Sequence, residues 1–145
     1  MKIRQILDEK GPEVVTVSPG ASVMDALQLL VAREIGSLVV LDEEEEVLGI
    51  ITERDILGLA SRDPAAIRRD TVESLMTDDL IVALSTDDVQ FVMDTMTRNR
   101  VRHLPVIDDE ELVGIISIGD VVNAIRKEME RENNHLREYV RGAVR

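Results

Sequence analysis

Cysteine is absent from this chain, so disulfides, thiolate catalysis and Cys-ligated zinc are excluded from the start. Aromatic residues are almost absent too, because Phe91 and Tyr139 are the only two. Any core must therefore be aliphatic. No apolar run approaches the ~18 residues that a membrane span needs, and the N-terminus has no signal-peptide pattern. These features lead us to expect a soluble, cytoplasmic protein. Basic residues are also scarce: 17 Lys and Arg stand against 29 Asp and Glu, for a net charge of −12. That balance argues against a nucleic-acid or anionic-membrane surface, both of which need an excess of cations. Of the 17 basic residues 14 are Arg, and Arg98, Arg100 and Arg102 stand close together. An acidic protein can still hold one anionic ligand with such a group, since guanidinium forks onto phosphate.

What is present is an aliphatic chain of 145 residues, 44% apolar, rich in Val, Ile and Leu. That length suits one compact domain or two small ones, and the β-branched content favours sheets with helices packed on them. The chain also repeats itself. Residues 35–57 read IGSLVVLDEEEEVLGIITERDIL and residues 101–122 read VRHLPVIDDEELVGIISIGDVV. Gly49, Ile50, Ile51, Thr52 and Asp55 fall on Gly114, Ile115, Ile116, Ser117 and Asp120, 65 residues on. Upstream the offset is 66, so the first acidic loop has one extra residue. VTVSPGASVMDAL (15–27) pairs with VALSTDDVQFVMDTM (82–96), and even the leads IRQIL (3–7) and VESLM (72–76) agree loosely.

Each copy predicts the same elements. A short strand near Val14–Val17, or Leu80–Leu84, ends in a turn at Ser18-Pro19-Gly20 or Ser85-Thr86-Asp87. A helix follows, with one apolar face at Val23, Ala26, Leu27 and Leu30, or at Val89, Val92, Met93 and Met96. Two strands come next, Leu38–Leu41 with Val47–Ile51 and Leu104–Ile107 with Leu112–Ile116, joined by acidic loops. A second helix then starts at Thr52 or Ser117. The expected fold is α/β (α+β), two β-α-β-β-α repeats packed pseudo-symmetrically. The expected divisions are 1–67, 68–125 and a helical extension over 126–145.

Thr52-x-x-Asp55 and Ser117-x-x-Asp120 read in two ways. Both are helix N-caps with an acid three residues on, a variant of the capping box. They are also parts of G-I-I-T-E-R-D (49–55) and G-I-I-S-I-G-D (114–120), which resemble the signature of cystathionine-β-synthase-type (CBS) domains. R-H-L-P-V-I-D at 102–108 resembles the segment that forms that family's second strand. The resemblance covers roughly residues 1–125 and suggests a stand-alone tandem pair, a Bateman module.

The resemblance implies an adenine nucleotide, AMP, ADP, ATP or NAD(H), as a regulatory ligand in clefts between the repeats. It places Asp55 and Asp120 on the ribose hydroxyls, and Thr52 and Ser117 on ribose or phosphate, with Arg54 beside the first signature. An acceptor-only carboxylate suits a vicinal diol, and a helix N-terminus offers N–H groups to phosphate. Arg102 and His103 are implied phosphate contacts, against a bland reading as a surface Arg and a satisfied His. The implied adenine pocket draws on Thr16, Val17, Gly36, Ser37, Val82, Val101 and Pro105. The first copy has Gly36 and Ser37 where the second has Arg102 and His103, so the basic equipment is one-sided.

The five carboxylates of Asp42–Glu46 match no metal-binding loop and read as a solvated turn; no metal and no catalytic residue is expected. His135 sits on a charged stretch and carries no role. Asp120–Arg141 reads as one helix of about 22 residues, roughly 33 Å long. Val122, Ile125, Met129, Leu136 and Tyr139 form a heptad-like seam on it, interrupted by Glu132. Bateman modules commonly form homodimers, and this seam can add to such a contact. With no nucleophile–base constellation, an enzyme is not expected. Two functions stand: a nucleotide sensor signalling to a client protein by conformational change, or a ligand-free dimerisation scaffold working through the C-terminal helix.

Overall fold

The computed structural model describes residues 1–144. In chain order the elements are α1 (Ile3–Lys10), β1 (Thr16–Val17), α2 (Val23–Arg33), β2 (Ser37–Leu41), β3 (Val47–Thr52), α3 (Glu53–Arg62), α4 (Ala66–Arg69) and α5 (Val72–Leu75). There follow α6 (Val89–Asn99), β4 (His103–Asp108), β5 (Glu111–Ser117) and α7 (Ile118–Val144). The fold is the expected mixture of helices and small sheets with a long C-terminal helix. That helix starts two residues earlier than predicted and runs past Arg141, while Arg145 of the predicted extension lies outside the described residues.

Two compact units are present. One, the first-repeat unit, holds residues 13–82 with the hairpin tip 109–112. The other, the second-repeat unit, holds residues 1–12, 83–108 and the chain from 113 onward. In the first-repeat unit β1 pairs parallel to β2 (Thr16 on Val39, Val17 on Val40), and β2 pairs antiparallel to β3 from Ser37 on Thr52 to Val40 on Gly49. The apolar face of α2 packs Val23, Ala26 and Leu30 onto Leu38, Val40 and Ile51, joined by Ile56, Leu59, Ile67 and Val72. Each Val, Leu or Ile side chain contributes about 1.5–3 kcal/mol on burial, so this aliphatic cluster is the main source of stability. The second-repeat unit matches it with Val89, Val92 and Met96 of α6, Leu104 and Val106 of β4, Ile116 of β5 and Val121 of α7, all buried.

Local chemistry fixes the ends. Ser22 caps α2 by accepting the Asp25 N–H (3.0 Å), and α2 and α6 both stop at a left-handed residue, Glu34 (φ 54°) and Arg100 (φ 55°). The acidic loops are turns made by their own residues. Asp42 accepts the N–H groups of Glu44 and Glu46, both at 2.9 Å, and Asp109 and Glu110 adopt the left-handed region (φ 48° and 66°) in the shorter second hairpin.

One predicted strand is not formed. Leu80–Leu84 makes a single parallel bridge, Ala83 to Val106, where the first repeat has a two-residue strand. The cause is Pro105. In the first repeat Val39 donates its N–H to the Val15 carbonyl; the matching donor in the second is Pro105, which has no N–H to offer Ile81. What survives is Ala83 N–H to the Pro105 carbonyl (2.9 Å) and Ile107 N–H to the Ala83 carbonyl (3.0 Å).

The leads are exchanged. The helix that precedes the first repeat, α1, is built into the second-repeat unit, and α5, which precedes the second, is built into the first-repeat unit. The same three hydrogen bonds hold each. Ile3 donates to the Asp87 carbonyl, Arg4 to that of Ser85, and Val89 to that of Met1; in the other unit Val72 donates to Ala21, Glu73 to Pro19, and Val23 to Asp70. Ile3 and Ile6 of α1 are buried, as is Val72 of α5.

Candidate functional site

In both units the signature lies where the last strand passes into a helix. Gly49 and Gly114 come first, and both are buried. A Cβ on Gly49 would stand 2.6 Å from the Thr77 carbonyl oxygen and 2.8 Å from Met76 Sδ, and one on Gly114 would stand 2.5 Å from Leu7 Cδ2. The signature glycine is therefore a notch that receives the exchanged lead: Leu7 of α1 at Gly114, and Met76 and Thr77 just after α5 at Gly49.

Three residues on, Thr52 and Ser117 cap α3 and α7. Thr52 Oγ1 accepts the Asp55 N–H (3.3 Å) while Asp55 Oδ2 accepts the Thr52 N–H (2.9 Å). Ser117 and Asp120 repeat this at 3.1 and 2.9 Å. Both signatures are thus full capping boxes, which orients each carboxylate at a helix N-terminus. Asp55 and Asp120 are half-buried. In each unit the residue just before the other strand of the hairpin closes onto the same helix start: Glu53 donates to the Gly36 carbonyl (3.0 Å) and Ile118 to the Arg102 carbonyl (2.8 Å).

In the first-repeat unit, then, Gly36, Ser37, Thr52 and Asp55 meet at one end of the sheet, with Ser37 facing Thr52 in register. Thr16 and Val17 lie in the same sheet, on β1 alongside β2. Arg54 is exposed. In the second-repeat unit Arg102, His103, Ser117 and Asp120 share the equivalent end, and Pro105 is buried in β4. Arg102 is exposed, while Val101 and His103 are half-buried. Val82 is exposed and directly precedes Ala83, whose N–H donates to the Pro105 carbonyl at 2.9 Å.

The two signatures differ electrostatically. Lys10, at the end of α1, donates to Asp120 Oδ2 at 2.7 Å and to the Ile115 carbonyl at 2.8 Å. Burial pushes the Asp120 carboxyl up, but the Lys10 bond and charge, with the Ser117 N–H, outweigh it and hold the group below its usual range. A cavity of about 210 Å³ opens beside the pair, lined also by Ile6, Glu9, Ala124 and Lys127. Sequence reasoning missed Lys10, which lies 110 residues from its partner and outside every motif. Among the described residues no group of three or more His, Asp or Glu is placed to hold a metal, and no helix is long and apolar enough to cross a membrane.

Comparison with known proteins agrees with this geometry. The family model for the CBS domain matches residues 4–62 and again 72–127. The chain is 37% identical over 125 residues, 83% of its length, to the mitochondrial CBS domain-containing protein CBSX3 of Arabidopsis thaliana, and spans 61% of that relative. The crystal structure of the CBS-domain containing protein ATU1752 from Agrobacterium tumefaciens superposes with a TM-score of 0.82 at 41% identity, covering 85% of this chain and 92% of that one. The CBS domain pair of protein MJ0100, solved in complex with 5′-methylthioadenosine and S-adenosyl-L-methionine, superposes with a TM-score of 0.78 at 26% identity, covering 88% and 98%. A repeat found twice, each copy ending in the same Gly-to-Asp turn and each matched by the same model, makes this chain a member of the CBS-domain family, carrying a tandem pair of CBS domains.

Proposed function

We propose that the chain is a regulatory, non-catalytic module that binds an adenine nucleotide, AMP, ADP, ATP or NAD(H), and signals to a client protein by a change of conformation. The observation that carries this reading is the duplicated capping box, which presents one oriented carboxylate per unit beside the N–H groups of a helix start. Asp55 and Asp120 accept the ribose hydroxyls, and Thr52 and Ser117 donate nearby. Arg102 and His103 meet phosphate. Aliphatic and backbone groups, among them Val17, Gly36, Ser37, Val101 and Pro105, hold adenine. Binding shifts the population of states that a client reads, by as much as the ligand's preference for one state over the other. The MJ0100 pair, solved in complex with 5′-methylthioadenosine and S-adenosyl-L-methionine, supports an adenosine-containing ligand.

Isothermal titration calorimetry against AMP, ADP, ATP, NADH and S-adenosylmethionine tests it. Wild-type protein binds at least one of these, and Asp55→Ala with Asp120→Ala together weakens that binding about a hundredfold or more, since hydrogen bonds to a charged group contribute about 1.5–3 kcal/mol each. Unchanged affinity in the double variant overturns the ribose assignment.

A second reading rests on α7. Met129, Leu136 and Tyr139 are 65%, 62% and 77% exposed along its last turns, an apolar stripe left uncovered. We propose that a second copy of the chain covers it, forming a homodimer. Silence across the nucleotide panel would leave this scaffold role as the function.

A further inference from the structure

The two units satisfy the same strand carbonyl differently. In the first-repeat unit the Ile50 carbonyl accepts the Thr77 N–H at 2.9 Å, an ordinary backbone bridge. The matching carbonyl in the second-repeat unit, Ile115, accepts the Lys10 ammonium instead. The lead helices explain why. α5 stops at Leu75 and the chain runs on extended, whereas α1 continues to Lys10 and carries that side chain to the strand edge. The residue at the place of Lys10 after α5 is Asp79, an acid.

An ammonium has three donors. Two are taken by the Ile115 carbonyl and Asp120 Oδ2. The Lys10 side chain is 36% exposed, and the cavity beside the pair leaves its third donor within reach of a bound molecule. Lys127, which lines the same cavity, pairs with Glu9 at 3.1 Å. Lys10 thus pairs with the signature carboxylate and offsets its charge toward an incoming anion. Without it, Asp120 would repel a phosphate held near the ribose.

We propose that Lys10 is a specificity-determining residue of the second signature: its remaining donor takes an anionic group carried next to the ribose, so that this signature prefers an adenosine 5′-phosphate to neutral adenosine. This rests on the ribose reading above and deepens it.

The test compares AMP with adenosine by calorimetry in full-length Asp55→Ala protein, which leaves the second signature intact, and repeats the comparison with Asp55 unchanged. AMP should bind about tenfold to a hundredfold tighter than adenosine, the worth of one charge-assisted hydrogen bond. Adding Lys10→Met should shrink that ratio to about threefold or less, mainly by weakening AMP, and Lys10→Arg should restore most of it. A ratio untouched by Lys10→Met overturns the proposal, as does an equal loss for both ligands, which marks a role in packing α1 alone; the melting temperature of Lys10→Met separates these. If neither ligand binds wild-type protein, the ribose reading falls and takes this one with it.

Discussion

Gly49 and Gly114 occupy the same place in their repeats, yet their surroundings punish a side chain differently. The nearest atom to a Cβ on Gly49 is a backbone carbonyl oxygen, while the nearest to one on Gly114 is the tip of the flexible Leu7 side chain. Backbone cannot step aside as a leucine can, and overpacking costs about 1–3 kcal/mol in a well-packed site. Gly49→Ala should therefore lower stability by about 2–3 kcal/mol and Gly114→Ala by about 1 kcal/mol or less, read from urea midpoints. Equal losses would mean that the notch depends on something other than its occupant. The sequence marks both glycines through the repeat, but not the reason for them, because Met76, Thr77 and Leu7 come from leads that resemble each other only loosely. Lys10 was illegible for the same reason: a contact 110 residues long leaves no periodicity to read.

Among the elements, legibility followed length. α2 and α6 each run 11 residues and bury the apolar positions that their spacing predicts, with Leu27 and Met93 at the margin. β2 and β3, and β4 and β5, fall within a residue or so of expectation. The four-residue helices α4 and α5 are too short to show a period, and tertiary contacts hold them. Pro105 removed a strand that its aliphatic neighbours Leu80–Leu84 had promised. The C-terminal helix kept its stripe, and a prediction attaches to it. Truncation after Lys127, or Leu136→Glu in the full chain, should convert a dimer to a monomer in light-scattering chromatography while leaving the nucleotide affinity within about twofold. A dimer that survives both changes would place the contact elsewhere.

For the whole molecule, the exchange of leads matters more than the repeat itself. The second-repeat unit cannot close its core without Ile3 and Ile6, which are only 0% and 8% exposed there. The first-repeat unit assembles its core cluster from Val23 to Val72 alone. Deleting residues 1–12 should therefore remove amide-exchange protection from α6, β4 and β5 before it touches α2, β2 and β3. Uniform loss would show that the chain unfolds as one cooperative body. The repeat could be read in one dimension; the exchange could not, because nothing local distinguishes a helix packed on the strands that follow it from one packed on strands far down the chain.

That exchange also imposes a timetable on synthesis. The first-repeat unit has its buried core once Met76 and Thr77 have emerged, whereas the second-repeat unit waits for Ile116 and Val121. At about 5–20 residues per second, α1 spends roughly 5–20 s outside the ribosome with its apolar face unburied. A nascent chain of this protein is thus a folded body trailing an amphipathic peptide that has nowhere yet to dock.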